Sequence, residues 1–184
     1  MNVITEEQKL LQKAAIFDEA ALAEIYDRYQ NPLYRYALHL LGSDQLAEDC
    51  ISDSFLRFLK ALRQGNIPGE NLRAYLYRIV HNWIVDHYRK KCIDDHFDEK
   101  DLPDEQPGIE DSVIANMEIE IIRQALHTLT LDQQQVIVLK YIEGWPNEDI
   151  ALLIGKRAGA VKALAHRAIR TLRKKCRNME WKNE

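Results

Sequence analysis

Cysteine is scarce in this chain and widely spread, with three residues at positions 50, 92 and 176. No two form a CxxC pair. The six histidines are dispersed as well, so the sequence predicts neither a zinc site nor a disulfide framework. The expectation is a cytoplasmic protein with reduced thiols, no metal and no cofactor. Glycine and proline are also few, 7 and 5 residues in 184. That argues against a turn-rich β fold and for long regular elements. No stretch approaches 18 apolar residues, so no membrane insertion is expected. The opening MNVITEEQKL lacks the basic start and apolar run of a signal peptide. There is no GxxxxGK[ST] phosphate loop, no GxSxG elbow and no HExxH pair. The acidic pairs Asp94–Asp95 and Asp98–Glu99 lack EF-hand spacing and read as solvated charge. No catalytic residue is predicted.

Against these absences, 46% of the residues are hydrophobic, enough to bury a core. The net charge of −4 conceals a sharp division along the chain. Residues 1–71 hold 11 acids and 7 bases, residues 72–91 hold 1 acid and 5 bases, residues 92–112 hold 9 acids and 1 base, and residues 113–184 hold 8 acids and 12 bases. The acidic stretch contains two prolines and a glycine and few residues that could join a core. It reads as a flexible linker at 92–112 between a domain at 1–91 and another at 113–184.

Both flanks carry helical periodicity. Leu72, Leu76, Ile79, Val80, Trp83 and Ile84 lie on one face of a helix over 72–91, with Asn71 as its N-cap. An earlier helix is predicted from about Asp44 to Leu62, with Ala47, Ile51, Phe55 and Phe58 inward, followed by the loop QGNIPGE. Two further helices are expected over 19–29 and 32–41, separated before Pro32. Beyond the linker, helices are expected near 112–127, 131–143, 147–154 and 158–176, with Gly144 and Gly155 ending two of them. The last two have the outline of a helix-turn-helix. The fold class is therefore all-α, in two small helical domains.

The final helix carries the strongest chemical signal. From Lys156 through Arg177 there are nine bases and no acid. Lys162, His166, Arg167, Arg170, Arg173 and Lys174 lie opposite the apolar face of Val161, Ala165 and Ala168. Such a one-sided run suits a phosphate-facing recognition helix in a major groove. The 72–91 helix presents Arg78, Asn82 and Asp86 as a stripe and ends on Arg89, Lys90 and Lys91. Cations interleaved with Tyr75, Tyr77, Trp83 and Tyr88 suit single-stranded DNA, which stacks on rings and pairs its backbone with charge. Trp83 and Tyr75 are better explained as core. Tyr77, off the main apolar face, is open to either role.

The segments AEDCISDSFLRF at 47–58, LRAYLYRIVHNWIVDHYRKK at 72–91, VIVLKYIEGWPNEDIALLIG at 136–155 and AVKALAHRA at 160–168 together resemble the extracytoplasmic-function RNA polymerase sigma factors. The resemblance implies a sigma2-like bundle, a sigma4-like helix-turn-helix domain and no enzymatic activity. It implies that Asp49, Ser52 and Asp53 contact the clamp helices of the largest subunit of core RNA polymerase. It implies further that Gln64 and Asn66, with Arg78, Asn82 and Arg89, capture and open the −10 element of promoter DNA. Arg157, Lys162, His166, Arg167 and Arg170 fall where the family reads the −35 element, and the sigma4-like domain would contact the polymerase flap. An anti-sigma factor is the implied regulator. The chain departs from the family's pattern at Ser52, often Gln, and at Tyr75, often Trp. It departs again at the start of the recognition helix, with Arg157 for the usual Ser cap, Ala160 for Thr, and Ala163–Leu164 for Ser-Arg. The alternative, a helix-turn-helix regulator independent of polymerase, accounts for the last block and leaves the first 91 residues without a role.

Overall fold

The computed structural model describes residues 6–66, 71–94 and 124–180. Every regular element among them is helical: α1 (Glu6–Ala15), α2 (Glu19–Leu41), α3 (Asp44–Arg63), α4 (Leu72–Asp94), α5 (Leu131–Ile137), a π-helical turn (Val138–Ile142), α6 (Asn147–Leu153) and α7 (Ala158–Glu180). Most of the acidic segment, residues 95–112, lies outside the described residues, as does most of the helix expected near 112–127.

Local chemistry accounts for most of these boundaries. Asp18 caps α2 by accepting from the Ala21 N–H at 2.9 Å, and Asn71 caps α4 by accepting from the Ala74 N–H at 2.8 Å. Gly42 ends α2 at φ 71°, and Gly155 turns the chain between α6 and α7 at φ 67°. The break expected before Pro32 is absent, because α2 runs unbroken through it. A proline inside a helix costs about 3 kcal/mol. Leu33, Tyr36, Ala37 and Leu40 beyond it are fully buried, as is Ile25 before it. Each large apolar side chain gains about 2 kcal/mol from burial, so one continuous helix feeding one core wins.

The helix expected over 131–143 also differs. It is α-helical to Ile137 and then widens into the π turn, where the Glu143 N–H donates to the Val138 carbonyl five residues back at 3.0 Å. The Trp145 N–H then donates to the Leu139 carbonyl at 2.8 Å. This detour turns Glu143 and Trp145 toward α4.

The two halves share one hydrophobic core. Tyr36, Tyr77, Val80 and Ile84 from α2 and α4 belong to the same buried cluster as Val136, Leu139, Trp145, Ile150 and Val161. The rings of Tyr36 and Tyr77 lie 5.3 Å apart, and those of Tyr77 and Trp145 lie 4.8 Å apart. Tyr77 is fully buried. It is a core residue and is not available to stack on DNA bases. Its position off the main α4 stripe points it at the carboxy-terminal half, a surface that the helix's own periodicity does not reveal.

His81 crosses the same boundary, with Nδ1 3.0 Å from Gln135 Nε2. Burial lowers its pKa. Arg78 lowers it further, and the Asp132 carboxylate acts the other way. A histidine held below its ordinary value contributes stability above pH ~6.5, and that contribution is lost as pH falls, because the unfolded ring takes up a proton that the folded ring resists. The melting temperature is therefore expected to fall between pH 7 and pH 5, and to fall less steeply in His81→Gln. Parallel slopes in the two proteins would remove His81 as a cause.

Candidate polymerase and nucleic-acid interfaces

The α3 helix buries Ala47, Cys50, Ile51, Ser54, Phe55, Phe58 and Leu62. Asp49, Ser52 and Asp53 are exposed on its other side. Beside them Leu56 is 52% exposed, and Tyr26 of α2 is 45% exposed. A groove lined by Leu22, Tyr26, Ser52, Phe55, Leu56 and Leu59 runs between α2 and α3. Two carboxylates thus flank an open apolar strip, which suits a partner that offers both cations and apolar side chains. Asp53 is already engaged within the chain. It accepts from Trp83 Nε1 at 3.2 Å and lies 3.7 Å from Arg57. Trp83 is half-buried and stacks on His87, with ring centroids 5.4 Å apart. It packs against the edge of the core and also ties α4 to the acidic face of α3.

At the end of α3 the chain reverses at Gly65, φ 76°, with the Asn66 N–H donating to the Ala61 carbonyl at 2.9 Å. Gln64 and Asn66 are exposed there. The remainder of the loop expected to capture a base, residues 67–70, lies outside the described residues. On α4, Arg78, Asn82 and Arg89 are exposed along one face, at spacings of four and seven residues. Arg89 is paired with Asp86 at 2.8 Å, so Asp86 bonds three residues ahead, where the sequence allows a pair with Lys90 four ahead. Tyr75 is half-buried, edge-on to Phe58 at 6.3 Å, and Tyr88 donates to the Leu40 carbonyl. Both brace α4 against its own bundle.

The α6–α7 pair forms the predicted helix-turn-helix. Ile150, Ala151 and Leu153 of α6 pack with Val161 and Ala165 of α7 in the core, and Ala168 joins a smaller cluster with Leu126, Leu129 and Ile137. The opposite face of α7 exposes Lys162, His166, Arg167, Arg170, Arg173, Lys174 and Lys175. Arg157 is exposed at its start, whereas Lys156 is bound to Asp132 at 2.9 Å. The site residues predicted from sequence therefore fall on three separate surfaces: acidic-apolar on α3, mixed on α4 and basic on α7. Among the described residues no cluster of His, Cys, Asp and Glu could hold a metal ion, and no helix is long and apolar enough to cross a membrane.

Sequence reasoning did not single out Glu143 as functional. Its side chain is 4% exposed, accepts from Tyr77 Oη at 2.7 Å and lies 3.9 Å from Arg35. The one signal available was a charged residue placed directly before a Gly-Trp pair at the end of an apolar helix.

Comparison with known proteins matches these surfaces to a family. Sigma-70 region 2 matches residues 25–92, which hold the α3 and α4 surfaces, and Sigma-70 region 4 matches residues 119–172, which hold the helix-turn-helix. The ECF RNA polymerase sigma factor SigL of Mycobacterium tuberculosis is 31% identical over 166 residues, covering 87% of this chain and 91% of SigL. SigW of Bacillus subtilis is 28% identical over 183 residues, covering 94% and 97%. BldN of Streptomyces coelicolor is 29% identical over 89% of this chain, which spans 63% of the length of BldN. The fold matches RpoE of Bartonella quintana, solved with the anti-sigma factor NepR, at TM-score 0.67 and 21% identity over 84% of this chain and 96% of RpoE. It matches CnrH, solved with the cytosolic domain of CnrY, at TM-score 0.68 and 23% identity over 90% and 93%. With region 2 and region 4 both present in the family's order, and with SigL aligned along nearly its whole length, this chain belongs to the extracytoplasmic-function RNA polymerase sigma factors.

Proposed function

We propose that the chain docks on core RNA polymerase through the α3 face of Asp49, Ser52 and Asp53. On this reading α4, with Gln64 and Asn66, opens the −10 element, and α7 reads the −35 element through Arg157, Lys162, His166, Arg167 and Arg170. The observation that carries this reading is the separation of charge onto different helices. The face that meets protein is acidic and apolar, and the recognition helix exposes six cations and no acid over residues 158–175. The functional units on this reading are residues 1–91 and 113–184, joined by 92–112. Tyr141, Ile142 and Leu152, exposed apolar residues in the second unit, suit a contact with the polymerase flap. The protein acts in the cytoplasm without catalysis of its own, under the control of an anti-sigma factor like the one bound to RpoE in the solved complex.

Co-purification with core polymerase tests the docking step. A polymerase-independent helix-turn-helix regulator would fail it while still binding duplex DNA. Within this scheme Asn82 acts in opening and not in docking. Its side chain is exposed and has no structural role in the α4 core. Asn82→Ala is expected to leave core binding unchanged and to slow permanganate-detected melting at −10 by about tenfold, the equivalent of one lost hydrogen bond of ~1.4 kcal/mol. Equal loss of docking and melting would assign Asn82 to folding instead.

A further inference from the structure

We infer that Glu7, in the first turn of α1, is a positioning residue for −10 opening. It fixes the start of α4, so that the groups at the end of α3 and those along α4 stand at a set separation when they meet the promoter. The inference rests on the sigma-factor reading above and concerns only the first half of the chain.

Glu7 reaches a residue 66 positions away in sequence. One carboxylate oxygen, Oε1, accepts from the Tyr29 hydroxyl of α2 at 2.8 Å and from the Arg73 main-chain N–H of α4 at 3.3 Å. Tyr29 is buried. Burial, and then the Glu7 carboxylate, push its hydroxyl up to about 12, so it stays a donor at neutral pH. Glu7 is also held from its own helix. Leu10, Leu11 and Ala14, further along α1, are buried, and α1 packs on both α2 and α3. The carboxylate is thus presented to α4 from a block made of three helices.

The start of α4 needs such a partner. The first N–H groups of a helix have no acceptor within it. Asn71 supplies one acceptor, for the Ala74 N–H at 2.8 Å, and Glu7 supplies another, for the Arg73 N–H. The first turn of α4 contains no acid of its own. The Glu7 carboxylate therefore also meets the positive end of the α4 dipole.

The consequence is geometric. The end of α3 is fixed by its own turn, where the Asn66 N–H donates to the Ala61 carbonyl at 2.9 Å. That turn presents Gln64 and Asn66, while Arg78 and Asn82 are exposed on α4. Engaging a base at one set of groups while the strand is held at the other requires the two sets to keep their register. A misplacement of about 1 Å in such an arrangement costs on the order of a hundredfold. Glu7 acts on this register through α4 and not on DNA. It is half-buried, and its carboxylate can be removed without opening the core, because Leu10, Leu11 and Ala14 hold α1 independently.

Glu7→Ala and Glu7→Gln in the full-length chain test this, with and without core polymerase. In the free chain, hydrogen exchange at the Arg73 amide is expected to be about tenfold faster in Glu7→Ala than in wild type, with helical circular dichroism unchanged. With core, Glu7→Ala is expected to bind with wild-type affinity and to slow permanganate-detected melting at −10 by about tenfold. Glu7→Gln keeps an oxygen that accepts both hydrogen bonds and should recover most of that rate. On a promoter already mismatched across −10, transcription with Glu7→Ala should approach wild type, a rescue that a general folding defect would not show. Faster exchange at Arg73 with a wild-type melting rate would overturn the role of Glu7 in opening. A parallel loss of core affinity and melting, unrelieved by the mismatched promoter, would overturn it too and leave α1 a structural support. If wild type itself melts no promoter with core, the sigma-factor reading falls and this inference with it, whatever the exchange at Arg73.

Discussion

Reversing both carboxylates of the α3 face, Asp49→Lys with Asp53→Lys, is expected to abolish co-purification with core polymerase while leaving the helical spectrum intact. Both side chains are exposed, and the ion pair of Asp53 with Arg57 is half in solvent, so its loss costs the fold no more than about 1 kcal/mol. Losing the hydrogen bond from Trp83 adds a contribution of similar size. At an interface the balance is different. Each reversal removes an attraction and sets like charges face to face, at about 2 kcal/mol or more per site. Two sites together give about 4 kcal/mol, or roughly a thousandfold in affinity. Sedimentation of the variant with core, beside wild type, measures it. Wild-type affinity in a folded variant would move the docking surface elsewhere.

The second large effect is expected on α7. Lys162→Glu with Arg167→Glu places two carboxylates on a face whose charged side chains are otherwise all cations over residues 158–175. Arg167 makes a single weak intrahelical contact, to the Ala163 carbonyl at 3.3 Å, so its loss barely affects the helix. Holoenzyme formed with this variant is expected to bind promoter DNA at least a hundredfold more weakly, and the loss should be confined to promoters that depend on −35. The milder Lys162→Ala with Arg167→Ala removes two phosphate contacts. It should reduce the slope of log K against log salt by about 1.8, since each contact releases about 0.9 of a counterion. An unchanged slope would place those two side chains away from the backbone phosphates.

How far these surfaces were legible from sequence follows from what periodicity can report. The apolar stripe of a helix shows which side faces a core, and so the exposed positions Asp49, Asn82 and Lys162 fell where their spacing put them. The caps at Asn71 and Gly155 were legible because their chemistry is local. Three features depended on distant residues and were not legible. Pro32 reads as a break until Leu33, Tyr36 and Leu40 are seen feeding the same core as Ile25. Tyr77 reads as off-stripe until Trp145 and Glu143 arrive from the other half of the chain. The π turn at Val138–Ile142 has no periodic signature, yet it aims Glu143 at α4. All three concern how the halves meet, which the pattern within a single helix does not encode.

The most direct test of the central claim is run-off transcription with purified core polymerase, this chain and promoter fragments from the source genome. The account predicts discrete transcripts that require both proteins and that disappear with Asp49→Lys/Asp53→Lys. Binding of the free chain to those fragments, with no transcript at any ratio of chain to core, would contradict it.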